Sequence, residues 1–204
     1  MDFTHFLSSH MLDPSVGGKR LYQTVVEQAV HAEACGYDGV GIPEHHLVNI
    51  LLIPSPLQMA VKIAAHTKRV KLVTSICQLP IRDMRVFAGE VVQAQALCDG
   101  RLMLGVGKGA FGFETGRLDV PIEETKDHFE EALQVLHRVE QMKAGAKRVG
   151  QDRRQSISIA YVPSTLYGGL PMLVRSPTAL QIFRISYSGR LEKSNSFRAP
   201  SALA

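Results

Sequence analysis

The chain has 204 residues, 45% of them hydrophobic and 21% charged, a globular composition that excludes a disordered or collagen-like chain and favours one domain. Its net charge of +4 divides unevenly: residues 1–139 hold 13 Lys/Arg and 16 Asp/Glu, residues 140–204 hold 10 and 3, so −3 is followed by +7. No stacking motif accompanies the basic end, so no nucleic-acid partner is expected.

The longest evident apolar run, Ile50-Leu51-Leu52-Ile53, is far short of the ~20 residues that span a bilayer. Met1 to His5 lacks the basic start of a secretory signal. Cys35, Cys77 and Cys98 fit neither a disulfide framework nor a CxxC spacing, and a cytoplasmic location is expected.

In chain order, Phe3 to Leu7 reads as a strand. Leu21, Val25, Ala29 and Ala32 recur at helical spacing, and Gly36 closes that helix. Gly39 to Ile42 is a second strand, stopped by Pro43. Ser55-Pro56 opens a helix striped by Leu57, Ala60, Val61 and Ala64. Val70 to Ile76 is β-branched and strand-like. Asp83 caps a helix whose face is Phe87, Val91, Ala94 and Cys98. Arg101 to Val106 is a fourth strand, and Pro121 with Glu123 and Glu124 starts a helix striped by Phe129, Leu133 and Leu136. Beyond it, Ser156 to Val162, Leu170 to Val174 and Leu180 to Tyr187 are strand-like, with no clear helix between them.

Four β-α units in series predict an α/β fold with a parallel sheet, either a barrel or an open doubly wound sheet. The division expected is a β/α portion over residues 1–140 and a divergent basic segment over 141–204. In both architectures the chemistry sits just after the strands. That points to Ser8 to His10, Pro43 to His46, Gln78 to Pro80 and Gly107 to Gly112.

Glu44-His45-His46 follows the second strand directly. Imidazole suits proton transfer near neutral pH. If the chain stays extended, Glu44 and His46 share one face and His45 takes the other. The competing structural reading is a pair of loop histidines bonded to backbone carbonyls. A metal site from His5, His10, Glu44 and His46 is a third reading, which no HxH or HExxH spacing supports.

Gly105 to Gly112 contains GxGxxG from Gly107 onward. Glycines let a ligand approach the backbone and Lys108 is expected to meet an anionic group, a ligand-facing loop being favoured over the competing reading of a flexible turn. The dinucleotide fingerprint needs a helix to start inside the loop, whereas Phe113 to Pro121 shows no helical periodicity. A glycine after Lys108 excludes a Walker A loop.

Taken together, Gly36-Tyr37-Asp38-Gly39-Val40, Pro43-Glu44-His45-His46, Pro54-Ser55-Pro56-Leu57 and Gly100 through Gly109 resemble the bacterial-luciferase-like, flavin-dependent monooxygenase family over about residues 1–140. The resemblance implies a TIM-barrel-like (β/α)8 fold, here in shortened form, reduced FMN or the deazaflavin F420, a small-molecule substrate and a homodimer. It places His45 near the flavin as the catalytic residue and Lys108 on a phosphate or substrate anion, where the family has arginine. Gly107, Gly109 and Gln78 complete the expected cofactor contacts, with His10 a further pocket-wall candidate and no metal.

The chain departs from the family in places. Ile81 to Met84 stands where the family has His-Pro, Gln95 stands for a common aspartate, and Lys108 lacks arginine's planar fork. A (β/α)8 barrel typically needs about 250 residues. The function expected is therefore oxidation of a small organic molecule by reduced flavin and O2. The alternatives are F420-dependent hydride transfer, a truncated flavin-binding protein without activity and, more distantly, a metal-dependent hydrolase. Weak, salt-sensitive flavin binding is expected, because Arg153, Arg154, Arg175 and Arg184 bring charge without a glycine-rich turn into a helix.

Overall fold

A parallel sheet runs through the molecule in the order its strands appear in the sequence. The computed structural model describes residues 2–147 and the strands at 158–161 and 181–183. The elements are β1 (Thr4–Phe6), α1 (Gly17–Ala34), β2 (Gly39–Ile42), α2 (Pro56–Ala64), β3 (Lys71–Thr74), β4 (Cys77–Gln78), α3 (Met84–Leu97), β5 (Leu102–Gly107), α4 (Gly112–Gly116), α5 (Thr125–Lys147), β6 (Ser158–Tyr161) and β7 (Gln181–Phe183). The sheet order is β1-β2-β3-β5-β6-β7, with β4 pairing β5. All pairs up to β6 are parallel, and β7 is antiparallel to β6. A doubly wound sheet reverses its strand order at a switch point. This order never reverses from β1 to β6, which is the winding of a barrel. Of the strand-like tail segments, the first and third contain β6 and β7, and 170–174 lies outside the described residues.

The helical stripes bury as their spacing requires. Leu21, Val25, Ala29 and Ala32 of α1, Leu57, Ala60 and Ala64 of α2, and Phe87, Val91 and Ala94 of α3 join Val40, Ile42, Leu72, Leu102, Leu104 and Val106 in or around one core. Gly36 follows α1 with φ +89°, the left-handed turn that ends the helix. Asp83 accepts the Arg85 N–H at 2.9 Å, as an N-cap should. Ser55 occupies the N-cap of α2 without a side-chain bond, so Pro56 alone sets that start.

Three elements depart from the pattern. The third strand divides into β3 and β4, separated by a cis Ser75–Ile76 peptide. The Thr74 hydroxyl donates to Gly105 O at 2.7 Å and accepts the Gly105 N–H at 2.8 Å. A side chain thereby takes the partner strand's polar groups, and the backbone ladder resumes only at Cys77 opposite Val106. Helix α5 begins at Thr125 rather than Pro121. Pro121 to Glu124 closes a turn, with Glu124 N–H on Pro121 O at 3.1 Å, so Glu123 and Glu124 precede α5. Within Phe113 to Pro121, where no helical periodicity is visible, and starting one residue earlier, Gly112 to Gly116 forms the short α4. Two glycine ends and five residues are too few for a hydrophobic period to show.

At the N-terminal ends of the strands, Glu33 receives the backbone N–H groups of Lys68 (3.0 Å), Arg69 (2.6 Å) and Val70 (2.9 Å). Arg101 donates to Ala64 O, Thr67 O, Val70 O and Thr67 Oγ1 at 2.9–3.2 Å. Burial works against the Glu33 charge, but the three N–H donors and Arg101 outweigh it and hold the carboxyl below its ordinary range. A depressed folded-state pKa gives stability that is present above the unfolded value and lost as pH falls through the folded one. Glu33→Gln is expected to cost about 1–2 kcal/mol at pH 7, with the denaturant midpoints of variant and parent converging in acid. Curves that stay parallel down to pH 2 would remove the ionised carboxylate from the account.

Candidate active site at the strand ends

The residues that follow β2, β4 and β5 meet at the C-terminal ends of the strands, through two carboxylates. Glu44 is 3% and Glu114 is 1% exposed. A buried carboxylate must be paired or hydrogen-bonded, and each of these is met on several sides. Glu44 accepts from His46 Nε2 at 2.7 Å, Arg82 Nη2 at 2.5 Å and the Gln78 backbone N–H at 3.3 Å. Glu114 accepts from His45 Nδ1 at 3.2 Å, Gln78 Nε2 at 3.2 Å and the His46 backbone N–H. Gln78 thus touches both carboxylates, and its Nε2 also lies 3.5 Å from Glu44 O.

Local structure explains the placement. Pro43 ends β2, and the following loop folds back so that the His45 N–H meets Ile53 O at 3.3 Å. Residue β4 Gln78 lies beside Gly107 of β5 in register. Glu114 of α4 and Arg117 at its C-cap both reach the β2 loop, Arg117 donating to Leu47 O at 2.6 Å. The two histidines therefore bond to carboxylates and not to backbone carbonyls. Glu44 and His46 pair with each other, while His45 turns to Glu114, as the alternation along 44–46 requires.

The His45 side chain is 15% exposed. Phe111 lies tilted against it, ring centroids 5.7 Å apart, and Phe113 lies 5.3 Å beyond Phe111. Lys108 is half-buried in the turn after β5. The space beside Gly107 and Gly109 is already taken up by the protein's own side chains. A Cβ at 107 would strike Ile76 Cδ1, and one at 109 would lie 2.5 Å from Gln78 Oε1. Gln78 Oε1 itself is buried with no hydrogen-bond partner among the described residues.

Other residues stay apart. His10 is exposed on the loop after β1, its Nδ1 3.0 Å from Ser8 Oγ. His5 lies edge-on to Tyr37 at 5.6 Å. Neither joins Glu44 and His46, and among the described residues no three His, Cys, Asp or Glu side chains are grouped as metal ligands. Burial pushes the Cys77 thiol up to about 12, with the Glu44 charge adding to it and Arg82 opposing. Cys77 is therefore a protonated wall beside the network and not a nucleophile. Among the described residues no helix is long and apolar enough to cross a membrane.

Two members of the network, Glu114 and Arg82, lay outside the expected site. A lone acid in Phe111-Gly112-Phe113-Glu114-Thr115 just after a strand was the available signal for the first. Arg82 was visible only as a departure from family pattern. The structure makes it the cation on Glu44, stacked 4.6 Å over the Phe87 ring.

The family model for luciferase-like monooxygenase matches residues 1–158. The chain belongs to that family. The oxygenase component of the flavin-dependent trigonelline monooxygenase of Acinetobacter baylyi is 29% identical over 118 residues, 58% of this chain and 33% of that protein. Among solved structures, the oxygenating constituent of 3,6-diketocamphane monooxygenase from Pseudomonas putida, in complex with FMN, shares the fold with a TM-score of 0.63 at 21% identity, covering 68% of this chain and 39% of that one. An F420-dependent secondary alcohol dehydrogenase shares it at a TM-score of 0.54 and 19% identity, covering 67% and 41%. This luciferase-like chain spans about a third of the length of the curated monooxygenase relatives it matches.

Proposed function

We propose that this luciferase-like chain forms the flavin-facing part of a monooxygenase that oxidises a small organic molecule with reduced FMN and O2. The observation that carries the reading is the His45 imidazole at the strand ends, partly exposed and backed by a buried carboxylate.

The residues present fit a flavin, which offers a flat aromatic ring with polar edges and an anionic phosphate. Phe111, His45 and Lys108 supply an aromatic face, a ring nitrogen and a cation around the strand ends, and Gln78 Oε1 is a buried acceptor without a partner among the described residues. His45 is assigned to proton handling and flavin contact, and Lys108 to the phosphate or a substrate anion. Gly107 and Gly109 line the turn, and Gln78 offers its free oxygen. Bound reduced flavin supplies the electrons for oxygen chemistry. This chain's residues orient the ring, exclude water through Phe111 and Phe113, and move a proton at His45.

Val30 of α1 and Val86 and Leu97 of α3 expose apolar surface, which supports a homodimer. Three free cysteines agree with a cytoplasmic enzyme. F420-dependent hydride transfer is the second reading, favoured by the fold shared with the alcohol dehydrogenase.

Titration with FMN is expected to shift its absorbance with a Kd in the micromolar range, about −8 kcal/mol. The affinity should fall as salt rises, because the pull of Lys108 on an anion is screened. A spectrum unchanged by both FMN and F420 would overturn the proposal.

A further inference from the structure

We infer that Glu114 is a positioning residue that fixes the tautomer of His45, with Gln78 and the His46 backbone N–H deciding which way it acts. The inference starts from donor and acceptor counting. Glu114 Oε1 faces two donors, the His46 N–H and Gln78 Nε2. Neither can turn into an acceptor. A backbone N–H has no choice, and the Gln78 amide nitrogen is directed at Glu114 Oε1 and Glu44 O, both acceptors. Glu114 Oε2 is left for His45 Nδ1. A carboxylate only accepts, so His45 carries its proton on Nδ1 and keeps Nε2 bare.

His46 is set the other way. Its Nε2 meets Glu44 Oε1, which Arg82 and the Gln78 N–H hold in place through the other oxygen. His46 therefore carries its proton on Nε2. Two adjacent histidines are locked in opposite tautomers by two carboxylates that share Gln78. The bare Nε2 makes neutral His45 an acceptor, selecting a base from the acid, base or donor roles open to an imidazole. That functional consequence rests on the proposed role of His45; the tautomer assignment does not.

The assignment gives an inverted outcome for Glu114→Gln. The two donors at Oε1 require the new carbonyl oxygen on their side. The new NH2 group must then face His45 Nδ1, which can receive it only by moving the ring proton to Nε2. Long-range proton–nitrogen correlation spectra of the 15N-histidine-labelled full chain, at a pH where the rings are neutral, read this directly. Expected are Nδ1–H for His45 and Nε2–H for His46 in the parent. In the variant His45 should change to Nε2–H with His46 unchanged.

A parent spectrum with Nε2–H on His45 overturns the assignment with no variant needed, as does a variant spectrum identical to the parent. In turnover, Glu114→Gln should lower kcat about 10²-fold or more, with KM for reduced FMN within about threefold. An inverted tautomer with unchanged kcat would uphold the positioning by Glu114 and remove the proposed proton role of His45.

Discussion

His45→Ala is expected to lower the rate of substrate oxidation by about 10²–10⁴, the usual worth of a positioned proton-transfer group. The fold should survive, because the ring makes a single 3.2 Å bond to Glu114 and Glu114 keeps two of its three donors, the Gln78 amide and the His46 N–H. His46→Ala should show the reverse balance. Its ring makes the shorter bond, 2.7 Å to Glu44 Oε1 against 3.2 Å for His45 to Glu114 Oε2, so stability should fall more and rate less. The comparison is made with single-turnover oxidation rates and thermal melts of both variants. A rate in His45→Ala equal to the parent's would take that residue out of the chemistry.

The second large effect is structural. Glu44→Gln removes the charge that faces Arg82 and His46 at the meeting point of β2 and β4. Breaking a buried pair from one side costs about 3–5 kcal/mol, since the partner is left buried without compensation. The Arg82 side chain is 18% exposed, which allows some rehydration, so about 3 kcal/mol is expected. That corresponds to a fall in Tm of roughly 6–12 °C for a chain of this size. Arg82→Met alone should also destabilise, by stranding Glu44. The double variant should cost less than the two singles added together, because both charges leave at once. Additive losses would show that the two side chains are not energetically coupled.

Much of the fold was legible because it rests on periodicity. Each amphipathic stripe of α1, α2 and α3 lies where its spacing puts it, and the monotone strand order follows from strict β-α alternation. What escaped depends on single side chains acting over long sequence distances. The interruption between β3 and β4 is made by one Thr74 hydroxyl satisfying Gly105, 31 residues away. A run of β-branched residues gives no hint of it. The delayed start of α5 follows from a turn at Pro121 that resembles a helix opening in composition. At the site, Glu44, His45, His46 and Gln78 were all visible at strand ends, which is where a parallel α/β fold must place its chemistry. Glu114 was not, since its meaning comes from lying 3.2 Å from a histidine 69 positions earlier. The glycines at 107 and 109 were read as room for a ligand, and the structure adds that Ile76 and Gln78 need that room as well.

The anchoring at the opposite end of the strands has an evolutionary consequence. Glu33 and Arg101 act through their side chains, but nearly all their partners answer with main-chain atoms: the N–H groups of residues 68, 69 and 70 and the carbonyls of Ala64, Thr67 and Val70. Any residue other than proline offers the same N–H, and every residue offers the same carbonyl. Recipients that answer only through the main chain are therefore free to drift in sequence without loosening the joint, whereas Glu33 and Arg101 are not. Lys68, which contributes only its N–H, can change sign, size or polarity while the geometry that aligns β3 with β5 stays as it is, whereas Arg69 also donates through Nη2 to Glu33 O at 3.1 Å. The strand ends that carry His45 inherit that alignment, so variation on one face of the molecule is insulated from the register on which the other face depends.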